Sequence, residues 1–172
     1  MAPRPLHSYI GFSVRHAAIA RVRGVFTDIT ATAIIDQDIN QSEIDVAIQV
    51  ASIDTQIEAR DKHLRSEDFF NAKKYPTMTF VSTSFNLDGE DLTLVGDLTL
   101  RGVTKSVELK GTFNGVVDDH MDTTRFGASL TGEISRKDFG VYWNAPLVSG
   151  GFAVGDTISL NLEVEFTAPE TH

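Results

Sequence analysis

Imidazole and carboxylate are the groups in this sequence that could carry proton chemistry. The 172 residues hold five histidines, 24 Asp and Glu, and no cysteine. Without a thiol there are no disulfides, no thiolate nucleophile and no thiolate metal site. Asp61 and His63 form a D-x-H with Asp68 close behind, a combination suited to metal ligation or to acid/base work. On a helix, residues two apart project about 200° from each other, so this pair does not chelate one ion, and no metal site is expected. The alternative is that Arg60, Asp61, Arg65 and Asp68 pair with one another and with strand ends. His16 shares the parity of Ile10, Phe12 and Val14, which points it inward. There it is either a core histidine satisfied by a carbonyl or a polar contact for a ligand headgroup. An enzymatic reading would use His16, His63 and Asp61 as acid/base groups.

A second cluster is Arg136-Lys137-Asp138-Phe139-Gly140, followed by Trp143-Asn144. Arg136 and Asp138 are expected to pair at a strand end, and Gly140 permits a positive φ. Trp143 is either a core plug or part of an aromatic entrance with Tyr142, Phe139 and Phe152. Ser149-Gly150-Gly151-Phe152 reads as a flexible hairpin or lid. Neither a phosphate loop nor a G-x-S-x-G elbow is present.

The elements that must position these groups are strands. Apolar and polar residues alternate through Ile10–Val14, Ile44–Val50, Leu92–Leu100, Val107–Phe113, Phe126–Ile134 and Ile158–Phe166. Val25–Ile35 and Met78–Phe85 are less regular but rich in β-branched and aromatic residues. Together they predict about eight antiparallel strands with one apolar face each. Asp88-Gly89-Glu90-Asp91, Arg101-Gly102-Val103-Thr104 and Asn114-Gly115 are the expected turns. From Asp54 to Phe70 the period changes: Ile57, Arg60, Asp61 and Leu64 follow helical spacing. One short helix is expected over about 54–68, capped by Asp54 or Thr55 and packed across a barrel end, with Pro76 closing the excursion. Gly96, Gly111 and Gly132 share the inward parity. They either allow the bends that closure needs or keep a tunnel open for an apolar guest.

Composition narrows the partners. With 15 Lys and Arg the formal net charge is −9, which argues against nucleic acid. Apolar residues make up 41% and charged residues 23%, a globular composition. No stretch approaches the about 18 apolar residues of a membrane span. One domain over 1–172 is expected, with an ordered core of about 7–167. As written the chain carries no leader and would stay in the cytoplasm; it would be periplasmic or secreted if a signal had been removed.

Several motifs, taken in order, carry a resemblance. They are His7-Ser8 through Phe12-Ser13-Val14-Arg15-His16, Val22-Arg23-Gly24, Ser52-Ile53-Asp54-Thr55, and Arg60-Asp61-x-His63-Leu64. Asp68-Phe69-Phe70, Tyr75-Pro76-Thr77, Gly96 to Thr104, and Arg136-x-Asp138-Phe139-Gly140-x-x-Trp143-Asn144 follow. In this order they resemble the YceI-like family of bacterial polyisoprenoid-binding, lipocalin-like proteins. The resemblance implies an extended eight-stranded antiparallel barrel whose lumen holds a long isoprenoid chain, often as a homodimer, with no established catalytic mechanism. Matching positions suggest His16, His63, Phe69, Phe70, Phe139 and Trp143 around the pocket. The inward-facing Phe12, Val14, Ile48, Leu64, Phe80 and Leu100 complete the expected ligand-binding set, which contains no catalytic residue. The expected function is to hold an isoprenoid lipid, of polyprenyl phosphate or isoprenoid quinone type, for storage, transport or sequestration. No cofactor other than such a lipid is expected.

Overall fold

The computed structural model describes residues 2–3, 8–17, 19–118, 124–148 and 153–167. His7, and the segment 149–152 expected to form a lid with Phe152, lie outside the described residues. In chain order the strands are β1 (Ala2–Pro3), β2 (Tyr9–His16), β3 (Ala20–Phe26), β4 (Ile29–Ile34), β5 (Glu43–Gln49) and β6 (Ile53–Asp54). Helix α1 (Glu58–Arg65) follows, then β7 (Thr77–Asp88), β8 (Asp91–Leu100), β9 (Val103–Asp118), β10 (Thr124–Ser135) and β11 (Val154–Thr167). Every pairing is antiparallel, and the order across the sheet is β4-β5-β7-β8-β9-β10-β11-β2-β3-β6, with β1 beside β11.

The eight expected strands appear as eleven segments because two staves are interrupted. β3 runs into β4 across Thr27 and Asp28, and β5 into β6 across a short 3-10 turn at Val50–Ser52. These two broken strands pair with each other on both sides of the break, Ile29 opposite Ile48 and Phe26 opposite Ile53. Across the break itself the Gln49 N–H donates to the Asp28 carbonyl (3.0 Å) and the Thr27 N–H to the Ser52 carbonyl (3.3 Å). Counted as continuous staves there are eight, and the ladder returns from β11 to β2. Such a break lets a strand bend sharply at a barrel corner without losing its partner. Ala2–Pro3 supplies the remaining segment.

Alternation places Leu92, Leu94, Leu98 and Leu100 of β8, and Val107, Leu109 and Phe113 of β9, in the interior. β7 looks irregular in sequence for a physical reason. A bulge between Ser82 and Ser84 inserts one residue, so Phe80 and Phe85, of opposite parity, both face inward. The turns at Gly89 (φ 62°) and at Arg101-Gly102 (φ 53° and 74°) are two-residue connections, as their sequences require. Asn114-Gly115 is not a turn: both residues lie inside β9, where the register with β10 shifts.

The two barrel ends differ. At one end Phe85, Phe113, Phe126 and Phe166 form a chain of ring contacts with centroids 6.3, 5.9 and 4.9 Å apart. All four are buried, so this end is plugged. Over the other end lie α1 and the segment that follows it. The helix is shorter than the expected 54–68. Asp54 accepts from the Gln56 N–H at 2.8 Å, and Gln56 takes a positive φ of 67°, which delays helical geometry until Glu58. Ile57 then occupies the cap position with no side-chain hydrogen bond, in place of the expected Asp54 or Thr55, and its side chain is exposed. Arg101, at the β8–β9 turn, donates to the carbonyls of Gly140 and Glu67 and so straps this cover to the barrel rim. No helix among the described residues is long and apolar enough to cross a membrane.

Candidate ligand-binding site

The barrel interior holds a cavity of about 340 Å³, within the range of small-molecule sites. Leu98, Leu100, Leu109, Leu130, Leu160 and Leu162 form much of its wall, and Phe166, fully buried, forms its floor against the aromatic plug. At the other end His16, His63, Phe69, Phe70 and Trp143 line it below α1. The bore is therefore blind. Its polar groups are gathered at the covered end, where His16 is exposed and His63 partly so.

Eleven of the twelve residues named from sequence line this cavity: Phe12, Val14, His16, Ile48, His63, Leu64, and also Phe69, Phe70, Phe80, Leu100 and Trp143. Phe139 does not. It is 1% exposed and packs into the hydrophobic core instead of facing the bore. His16 lines the cavity, as its inward parity implies, yet its side chain is exposed. It is the last residue of β2, paired with Ala20 and Val154, at the mouth end of the bore. Its ring is therefore neither a core histidine nor enclosed.

The mouth is built from aromatic edges. The His63 ring meets Trp143 edge-on at 4.7 Å and Phe69 edge-on at 5.0 Å, while Phe69 and Trp143 lie 5.2 Å apart. His63 Nε2 bonds Asp68 at 2.8 Å, which orients the imidazole. Trp143 thus belongs to an entrance, but with His63 and Phe69. Tyr142 points to solvent and Phe139 to the core.

Arg136 holds Trp143 in place. This side chain is 4% exposed, and its guanidinium donates at 2.9 Å to the carbonyls of Gly155, Val141 and Trp143. Asp156, not Asp138, is the carboxylate it meets, at 3.4 Å. The sequence suggested a local ion pair because Asp138 is near in number. A fork of donors so deeply buried is instead taken by backbone acceptors that need partners. Gly140 adopts φ 77°, as its position after Phe139 suggested.

Asp61 is buried and committed. Its Oδ1 accepts from the Thr55 N–H at 2.9 Å and from the Thr55 hydroxyl, while Arg60 Nε donates to that hydroxyl at 2.7 Å. Arg65 pairs with Glu58 at 3.0 Å. Asp61 therefore anchors the chain entering α1 and does not converge with His16 and His63. Among the described residues no three His, Asp or Glu side chains gather as a metal set.

The inward glycines do not open the bore. None of Gly96, Gly111 and Gly132 lines it. A Cβ on Gly96 would strike the Phe80 ring, and one on Gly111 would strike the Ser129 carbonyl of the neighbouring strand. One on Gly132 would lie 2.7 Å from Leu109. They admit close neighbours, and the space that remains is set by the circumference of the barrel.

A meander barrel of eight staves, with a blind apolar bore and a helix over its mouth, is a lipocalin-like barrel. The profile of the YceI-like domain matches residues 3–166. The chain belongs to the YceI-like family. It is 41% identical to protein YceI of Escherichia coli O17:K52:H18 over 136 residues, covering 78% of this chain and 71% of that protein. A Photorhabdus laumondii protein, plu2095, is 40% identical over 134 residues, 77% of this chain and 70% of its own. Among solved structures, the Campylobacter jejuni YceI protein shares 35% identity with a TM-score of 0.76, over 91% of this chain and 90% of that one. Burkholderia cenocepacia BcnA shares the fold at 22% identity, TM-score 0.80, over 95% and 99% of the two chains. A Saccharophagus degradans polyisoprenoid binding domain also shares it, at 15% identity and TM-score 0.68, over 94% of each.

Proposed function

We propose that the bore holds the hydrocarbon chain of an isoprenoid lipid, with the lipid's headgroup at the His16 and His63 end. The observation that carries this reading is the unfilled cavity of about 340 Å³, walled by Leu, Ile, Val and Phe and closed by Phe166. An apolar wall asks nothing of a chain but shape and dryness. Each buried carbon contributes about 0.8 kcal/mol, so a five-carbon isoprene unit contributes about 4 kcal/mol before ordering costs. Branched aliphatic side chains suit a methyl-branched guest. The polyisoprenoid binding of the Saccharophagus degradans domain, on the same fold, supports the same choice of chain. Such a protein stores, carries or sequesters a lipid of polyprenyl phosphate or isoprenoid quinone type. Denaturing mass spectrometry of protein purified from a bacterial host tests it. A stoichiometric isoprenoid is expected, and protein that is empty and takes up no prenyl lipid on titration would overturn it.

A further inference from the structure

The β2–β3 hairpin beside the mouth carries a basic outer face that reaches beyond the lumen, with only Arg15 of its three arginines also lining the cavity. Its outer face carries Arg15 opposite Arg21, and Arg23 opposite Ser13. All three arginines are exposed. Arg21 donates to Ser13 at 3.2 Å, and among the described residues none of the three meets a carboxylate. Like charges directly opposite across two strands are unfavourable, so this arrangement costs stability within the protein itself. The neighbouring strand does not relieve it: β11 places Ser159 beside Ser13 and Asn161 beside Gly11, and its nearer Asp156 is engaged by Arg136 and Lys137. On the cover over this end Glu58 pairs with Arg65, and Asp68 is hydrogen-bonded to His63.

At the tip of the same hairpin Ile19 is 90% exposed. Of the seven exposed large apolar side chains among the described residues, Ile19, Ile57, Tyr142 and Val148 belong to segments around this end. The hairpin tip is joined to the mouth directly: the Ala17 N–H donates to the Ala153 carbonyl at 2.9 Å, and His16, Ala153 and Val154 all line the cavity.

We infer that the β2–β3 hairpin docks the barrel mouth onto an anionic phospholipid surface, with Arg15, Arg21 and Arg23 at the headgroups and Ile19 inserted between them. Charge complementarity selects this partner. The chain as a whole carries −9, so an anionic bilayer repels most of its surface and attracts this face, which turns the mouth toward the lipid. Exposed apolar tips beside basic side chains are the usual composition of an interfacial anchor. The inference goes beyond lumen occupancy and does not need the guest to be an isoprenoid.

Flotation with equimolar phosphatidylglycerol and phosphatidylcholine vesicles, against phosphatidylcholine alone, tests it. The protein is expected to float with the anionic vesicles only, and to be released by salt. Each arginine near such a surface is worth about fivefold in partitioning, so R21Q/R23Q, which leaves the cavity-lining Arg15 in place, lowers binding roughly twenty-five-fold. Ile19→Ser lowers it about tenfold. The arginine variant is expected to melt no lower than wild type, since it relieves the opposed charges, Ile19→Ser to keep the wild-type melting curve, and both to retain a lumen probe, which separates loss of docking from loss of folding or of lipid binding. Wild-type protein indifferent to both vesicle types, leaving the patch to a protein partner, or an R21Q/R23Q variant that still floats as well as wild type, would overturn the proposal.

Discussion

Phe166 sets the depth of the bore, and Phe166→Ala tests that directly. The ring is fully buried, floors the cavity and stacks on Phe126 at 4.9 Å with an interplanar angle of 14°. Truncating a buried Phe costs about 3–5 kcal/mol, part of it the lost ring pair. For a chain of this size each kcal/mol lowers Tm by about 2–4 °C, so a fall of roughly 6–20 °C is expected. The same change moves the floor back to the plug formed by Phe85, Phe113 and Phe126. The space of one ring admits about one more isoprene unit, worth about 4 kcal/mol before ordering costs. Displacement of a fluorescent lipid by prenyl alcohols of increasing length reads the effect, and the tightest-binding length is expected to rise by one unit. Phe126→Leu, which lies behind an intact Phe166, lowers Tm without moving that optimum. A Phe166→Ala protein that melts lower yet ranks the alcohols as wild type does would refute the reasoning that this ring ends the bore.

Other outcomes follow from the mouth and the sheet. Arg136→Met removes the donor from three carbonyls in a buried site; about 3 kcal/mol or more is lost, and thermal unfolding shows a drop of roughly 6–12 °C together with a shift in Trp143 fluorescence. Asp61→Ala strands the Thr55 N–H and hydroxyl and costs about 2–4 kcal/mol in urea unfolding, whereas Asp61→Asn, which keeps an acceptor, costs less than half of that. Gly111→Ala would force a methyl into the Ser129 carbonyl, so the soluble yield collapses while Gly89→Ala, in an open turn, costs about 1 kcal/mol. Arg101→Gln frees the cover over the mouth from the Gly140 and Glu67 carbonyls, and stopped-flow release of a bound lipid probe accelerates several-fold with little change in Tm.

Much of this protein is legible from one dimension. Alternation in Leu92–Leu100 and Val107–Phe113 reports which side of each strand meets water, because that period is a local property of extended backbone. Gly89 and Arg101-Gly102 mark two-residue turns through the dihedral angles they allow, and the change of period after Asp54 marks a helix between strands. The apolar residues expected around a pocket line one for the same reason: inward parity in a barrel is inward for every strand.

Tertiary structure decides what depends on the distance between strands or on where a strand stops. His16 keeps its parity and lines the cavity yet is exposed, since nothing in its own sequence marks it as the last residue of its strand. Phe139 is absent from the bore because the 3-10 turn at Arg136–Phe139 points its ring into the core. Arg136 turns from the nearby Asp138 to carbonyls of residues up to nineteen positions away, which only the folded chain brings within reach. Whether an inward glycine leaves a hole or receives a neighbour is likewise a matter of what stands opposite, and at Gly96 and Gly111 the place is taken. Alternation along the chain determines that an apolar interior exists; the circumference of the closed sheet and the four rings at one end decide how much of it is left empty.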